Sequence, residues 1–136
     1  MDDLLDRLRQ CAASLPEMRL AVLFGSTARG QARRQSDVDL GVSVGPNTSA
    51  VRRRAEVELE RAAGRPVHLV LLEEAPPLLR FEISRDGILL FQTEDHLWTD
   101  FKTKAMVDWW DWAPIAKRIE EASIRRLRDK VNHGQA

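Results

Sequence analysis

Asp37 and Asp39 stand two residues apart in an apolar run, with Val38, Leu40 and Val42 around them. Side chains alternate across a strand, so the two carboxylates share a face, roughly 6–7 Å apart along the chain. Carboxylates so placed repel each other unless a cation relieves them. Mg²⁺ suits this task. It takes oxygen ligands at about 2.1 Å, uses one or two protein carboxylates, and fills its shell with water and phosphate oxygens. Upstream, the apolar run Leu20 to Phe24 breaks at Gly25-Ser26. Gly25 lets a backbone approach closely, and Ser26 offers a hydroxyl and amides at a helix start, which is what a triphosphate needs.

The surrounding elements must bring these residues together. Asp2 to Ser14 reads as an amphipathic helix with Leu4, Leu5, Leu8, Cys11 and Ala12 on one stripe. Arg19 to Phe24 is a first strand, Thr27 to Arg34 a short helix or loop, and Asp37 to Val44 a second strand. Thr48 or Ser49 caps a helix to about Ala63, with Val51, Ala55, Leu59 and Ala62 inward. Gly64 stops it. Val67 to Leu72 is a third strand, apolar on both faces as an interior strand of a covered sheet would be. Leu78 to Ser84 reads as a short helix, Asp86-Gly87 as a turn and Ile88 to Phe91 as a fourth strand. The fold class is therefore α/β (α+β): a small mixed sheet of about four strands flanked by helices. Residues 1–93 form the core. Residues 94–136 form a C-terminal helical extension, packed on that core or on a partner, with Pro114 kinking it or starting a new helix.

Gly25-Ser26-x-Ala28-Arg29-Gly30, followed after six residues by Asp37-x-Asp39, resembles the DNA polymerase beta-like nucleotidyltransferase superfamily. More closely, Gly25, Ser26, Ala28, Arg29, Gly30, Ser36, Asp37, Asp39 and Leu40 look like the signature of the minimal nucleotidyltransferases (MNT). The resemblance covers roughly residues 19 to 91. It implies a polymerase beta-like fold, with Asp37 and Asp39 as catalytic and Mg²⁺-binding residues and Gly25, Ser26 and Arg29 beside the ATP phosphates. Where the family usually places a third carboxylate, the third strand here reads Val67-His68-Leu69-Val70. Three readings of His68 are open: a general base with an ordinary pKa near 6.5; the mark of a one-metal site with little turnover; or a structural histidine while Glu73 or Glu82 approaches instead. Histidine is a poor ligand for Mg²⁺.

MNT proteins are commonly antitoxins of HEPN-family RNase toxins, and they transfer AMP from ATP to a toxin tyrosine hydroxyl. The resemblance therefore implies an antitoxin with protein adenylyltransferase activity. A weak or inactive antitoxin that neutralises its partner by binding is the first alternative. A small-molecule nucleotidyltransferase is the second, although Glu56, Glu58 and Glu60 are too scattered around a helix to form an acidic substrate pocket. All four tryptophans fall between residues 98 and 112. A stripe this aromatic is usually core, yet tryptophan is enriched at interface hot spots and one small sheet can hardly bury all four rings, so two readings stay open: core, or a docking face for the toxin or for another copy of the chain.

With 136 residues the chain is one domain with room for a core. Lys plus Arg and Asp plus Glu number 21 each. Zero net charge argues against extensive nucleic-acid binding, and the Arg52-Arg53-Arg54 run reads as a solvated face. A single cysteine, Cys11, excludes an internal disulfide and reads as a buried, inert thiol. No apolar run is long enough to span a bilayer, and the N-terminus lacks a signal-peptide pattern, so a cytoplasmic protein is expected.

Overall fold

The structure is a computed structural model that describes residues 2–31 and 37–134. Helix α1 (Asp2–Ser14) leads into β1 (Met18–Phe24), a four-residue helix α2 (Gly25–Ala28) and β2 (Val38–Val44). Helix α3 (Ser49–Ala63), β3 (Val67–Leu71), a 3₁₀ turn (Leu72–Glu74), α4 (Pro77–Asp86), β4 (Ile88–Gln92) and α5 (Leu97–Gly134) complete the chain. The sheet order is β3-β2-β1-β4. β1 pairs antiparallel with β2 and β4, and β2 pairs parallel with β3 across the α3 crossover. The expected four-stranded mixed sheet flanked by helices is therefore present.

One sheet face is a closed core. Leu23 of β1, Val38, Leu40 and Val42 of β2 and Val67 of β3 pack under Leu8 and Ala12 of α1 and Ala55 and Leu59 of α3. The Thr48 hydroxyl accepts from the Val51 amide at 3.2 Å, and Gly64 ends α3 in the left-handed conformation, φ 72°. The other face carries Leu20, Val22 and Phe24 under Ile83 of α4 and Trp98 of α5.

Several boundaries differ from the sequence reading. β3 is an edge strand, not an interior one. Val67, Leu69 and Leu71 pack on the α3 side; on the other side Val70 packs against the second cluster and His68 is exposed. β2 begins at Val38, so Asp37 precedes the strand. Helix α2 ends at Ala28; the last part of the expected helix or loop to Arg34, and Ser36 of the motif, lie outside the described residues. Helix α5 starts at Leu97 rather than Glu94 and runs as one helix with Pro114 inside it. Proline removes one amide donor, a loss that an exposed turn can make good with water.

The tryptophans divide by position. Trp98 is buried and stacks on Phe101, with centroids 5.8 Å apart. Trp109 stacks on Phe81 of α4 at 5.3 Å. Trp110 stays 65% exposed. Beyond it, Ile115, Ile119, Ile124, Leu127 and Val131 are exposed as well. No helix among the described residues is long and apolar enough to cross a membrane.

Candidate active site

The Gly25 turn and Asp39 are built as one unit. Gly25 has φ +75°, a conformation open to glycine at little cost. A Cβ on Gly25 would fall 2.2 Å from Asp39 Oδ2, so only glycine leaves room for that carboxylate. The register explains the meeting, because Asp39 pairs with Phe24, the last residue of β1.

Helix α2 then closes at once. Gly30, at φ +71°, donates its amide to Thr27 O at 3.2 Å, and Gln31 donates to Ser26 O at 2.9 Å. These are the two bonds of a Schellman stop. Gly30 of the sequence motif is thus a helix terminator, and Arg29 is set beside the cleft by this turn.

His68 pairs with Asp39 across the parallel β2–β3 ladder. Its Nδ1 lies 3.2 Å from Asp39 Oδ1. The imidazole is 65% exposed and the carboxylate 28%. Asp39 therefore has one oxygen against the glycine turn and the other toward the histidine.

A cleft of about 340 Å³ opens here between the sheet end and α4. Gly25, Ser26, Arg29 and Asp39 line it, as do Leu79, Glu82 and Asp86 from α4. Asp37 and His68 are not part of the lining. Asp37 is exposed just ahead of β2. Of the two alternative carboxylates, Glu82 is in the cleft. Glu73 is not, because it accepts a hydrogen bond from Ser43 Oγ four residues along β2 from Asp39. Leu79 and Asp86 were missed in the sequence. Positions 79, 82 and 86 make a single helical stripe, but it is legible only if the helix extends to Asp86. The Asp86 carboxyl is held below its usual pKa by its bonds to Arg85 at 2.8 and 3.1 Å and, more weakly, by the charge of Arg29.

Among the described residues no group of three or more His, Cys, Asp or Glu side chains could hold a metal ion. A cation at Asp37 and Asp39 would draw the rest of its shell from water and phosphate. That donor set fits Mg²⁺ arriving with a nucleotide and does not fit a preformed all-protein cage.

A family profile described as polymerase beta, nucleotidyltransferase matches residues 6–96. The chain belongs to the polymerase beta nucleotidyltransferase family. The match stops just ahead of α5. No curated protein sequence matches the chain. Among solved structures, a toxin–antitoxin complex with AMP-PNP is 22% identical, with TM-score 0.74, over 88% of this chain and 98% of that one. A tri-AMPylated Shewanella oneidensis HEPN toxin in complex with an MNT antitoxin matches at 21% identity and TM-score 0.64, over 90% and 94%. A proposed minimal nucleotidyltransferase is 32% identical, with TM-score 0.52, over 62% and 86%.

Proposed function

We propose that this chain is a cytoplasmic antitoxin that transfers AMP from ATP to a tyrosine hydroxyl of a HEPN-family RNase toxin. The observation that carries this reading is the Gly25–Asp39 unit at an open cleft: a carboxylate held against a glycine turn, beside Ser26 and Arg29. The resemblance of the fold to MNT antitoxins, one beside an AMPylated toxin, supports it.

In this reading Ser26 and the Gly25 turn hold the phosphates, and Arg29 orients them. Asp37 and Asp39 would hold Mg²⁺, which would supply positive charge beside the phosphates. The acceptor oxygen bonds to the α-phosphorus as the bond to the bridging oxygen breaks, and pyrophosphate leaves. His68 takes the acceptor proton. Asp39 faces its Nδ1, so with the proton on that nitrogen Nε2 is the acceptor, an arrangement in which a carboxylate orients an imidazole base.

Incubation with labelled ATP, Mg²⁺ and the toxin, followed by intact-mass analysis, tests the proposal. A gain of one or more AMP groups on the toxin is expected, and none with Asp39→Asn. A second reading, neutralisation by binding alone, is favoured by the exposed apolar residues of α5. Titration with Asp37→Asn protein separates the two. Full neutralisation by that variant supports sequestration, and its loss supports chemistry.

A further inference from the structure

A second cavity, of about 360 Å³, lies on the same sheet face toward the opposite end of β2. Ser43 lines it, four residues and roughly 14 Å along the strand from Asp39. The floor is apolar, made by Leu20, Leu72 and Phe101. Its size falls within the range of small-molecule sites. None of the residues lining the Asp39 cleft lines this one.

The charged groups around it are unevenly satisfied. Of the carboxylates, Glu73 accepts from Ser43, and Asp100 faces His96 Nδ1 at 2.9 Å. Of the cations, Arg80 lies over the Phe101 ring at 5.6 Å and gives Nη1 to Asp108 at 3.0 Å. Its Nε is buried and has no hydrogen-bond partner among the described residues. Arg19 and Lys104 line the same cavity from exposed positions. Three cationic side chains surround an apolar floor with one aromatic ring. We propose that this cavity binds a small ligand carrying one anionic group on a flat apolar body. A nucleoside monophosphate and an aromatic carboxylate are the two forms of that chemistry. The anion would meet Arg80, Arg19 and Lys104, and the body would lie against Phe101 and the leucines.

Calorimetry on the full chain, both native and with Asp39→Asn to disable the cleft, tests this. The probes are AMP, benzoate, adenosine and inorganic phosphate. AMP or benzoate should bind at least tenfold tighter than adenosine, which lacks the anion, and than phosphate, which lacks the body. Whichever of the two prevails identifies the source. Arg19→Glu with Lys104→Glu, both at exposed positions, should weaken that binding at least tenfold. Arg80→Met should do the same while keeping its stem over Phe101; if it does not fold, the exposed pair alone decides. The proposal is overturned if the exposed pair leaves affinity unchanged, if phosphate binds as well as AMP and benzoate, if neither binds at millimolar concentration, or if binding requires an intact Asp39. All readouts are binding, so failure of AMP transfer to the toxin leaves this test standing.

Discussion

The two faces of the sheet are built to opposite specifications. One is sealed: α1 and α3 lie over Leu23, Leu40 and Val42, and these side chains are fully buried. The other is covered only in part. There α4 and α5 lie over Leu20, Val22 and Phe24, while Asp39, Ser43 and His68 on the β2–β3 side remain partly or largely open. Chemistry can sit only on the second face. A carboxylate on β2 is affordable only where no helix closes over it, because an ion buried without a partner is expensive. The same strand can therefore alternate between anchoring a core and presenting an acid.

Substitution on the sealed face should break the fold and leave no question of function. Leu40→Ala removes a fully buried side chain and should cost about 2–5 kcal/mol, seen as a lower denaturant midpoint with an unchanged slope. On the open face the effect should fall on activity. Gly25→Ala forces a side chain into Asp39 Oδ2 and strains a positive φ. AMP transfer should drop about a hundredfold, the scale of a misplaced catalytic group. The fold should survive, with a stability loss of about 1–2 kcal/mol. Equal stability losses at the two positions would erase the contrast between the faces.

His68 extends the contrast, since it is the most exposed of the three polar residues of β2 and β3. His68→Gln should lower transfer on the order of a hundredfold with unchanged melting. His68→Asp separates the open readings. A lower rate marks the imidazole as the base, whereas a higher rate makes it a weakened stand-in for a carboxylate.

The sealed face was the more legible of the two in the sequence. The stripe of α1, the cap at Thr48 and the stop at Gly64 each follow local rules of period and backbone conformation, and each stands where those rules put it. The Gly25–Asp39 meeting was legible as a motif, but its cause is the β1–β2 register, which no local pattern states. The edge position of β3 was misread because apolar residues on both faces look alike in an interior strand and in a short edge strand with one helix over it. The α4 side of the cleft was half-missed for a simpler reason. Asp86 before Gly87 looks like a turn, yet it is the last residue of the helix that walls the site.

Helix α5 extends the comparison, because it begins as the cover of the open face and ends with apolar residues of its own uncovered. Trp98 and Ala105 are buried, whereas Trp110 and Leu127 are 65% and 63% exposed. If the outer part is the toxin-binding face, Trp110→Lys should weaken toxin binding about thirtyfold, a typical hot-spot loss, measured by calorimetry. Stability should shift within about 0.5 kcal/mol, as for an exposed site. Leu127→Lys should act in the same direction. A large stability loss with unchanged binding would instead make these residues part of the chain's own packing.

The smallest effect should come from His96, just ahead of the first turn of α5. Its Nδ1 lies 2.9 Å from Asp100 and its Nε2 2.8 Å from Glu94. Bonds to Asp100 and then to Glu94 hold the imidazole pKa above its ordinary 6.5. The folded state therefore binds this proton more tightly than the unfolded chain does. Its contribution to stability is complete below the unfolded pKa and is lost as pH rises through the raised folded one. Melting temperature should accordingly fall slightly across neutral pH in the native chain, and His96→Asn should flatten that part of the curve. Because all three groups are exposed, high salt should flatten it too. A slope that survives both changes would assign the neutral-pH dependence to a different group and leave the start of α5 to Trp98 packing and the bond from the Trp98 amide to Gln92 Oε1 at 3.0 Å.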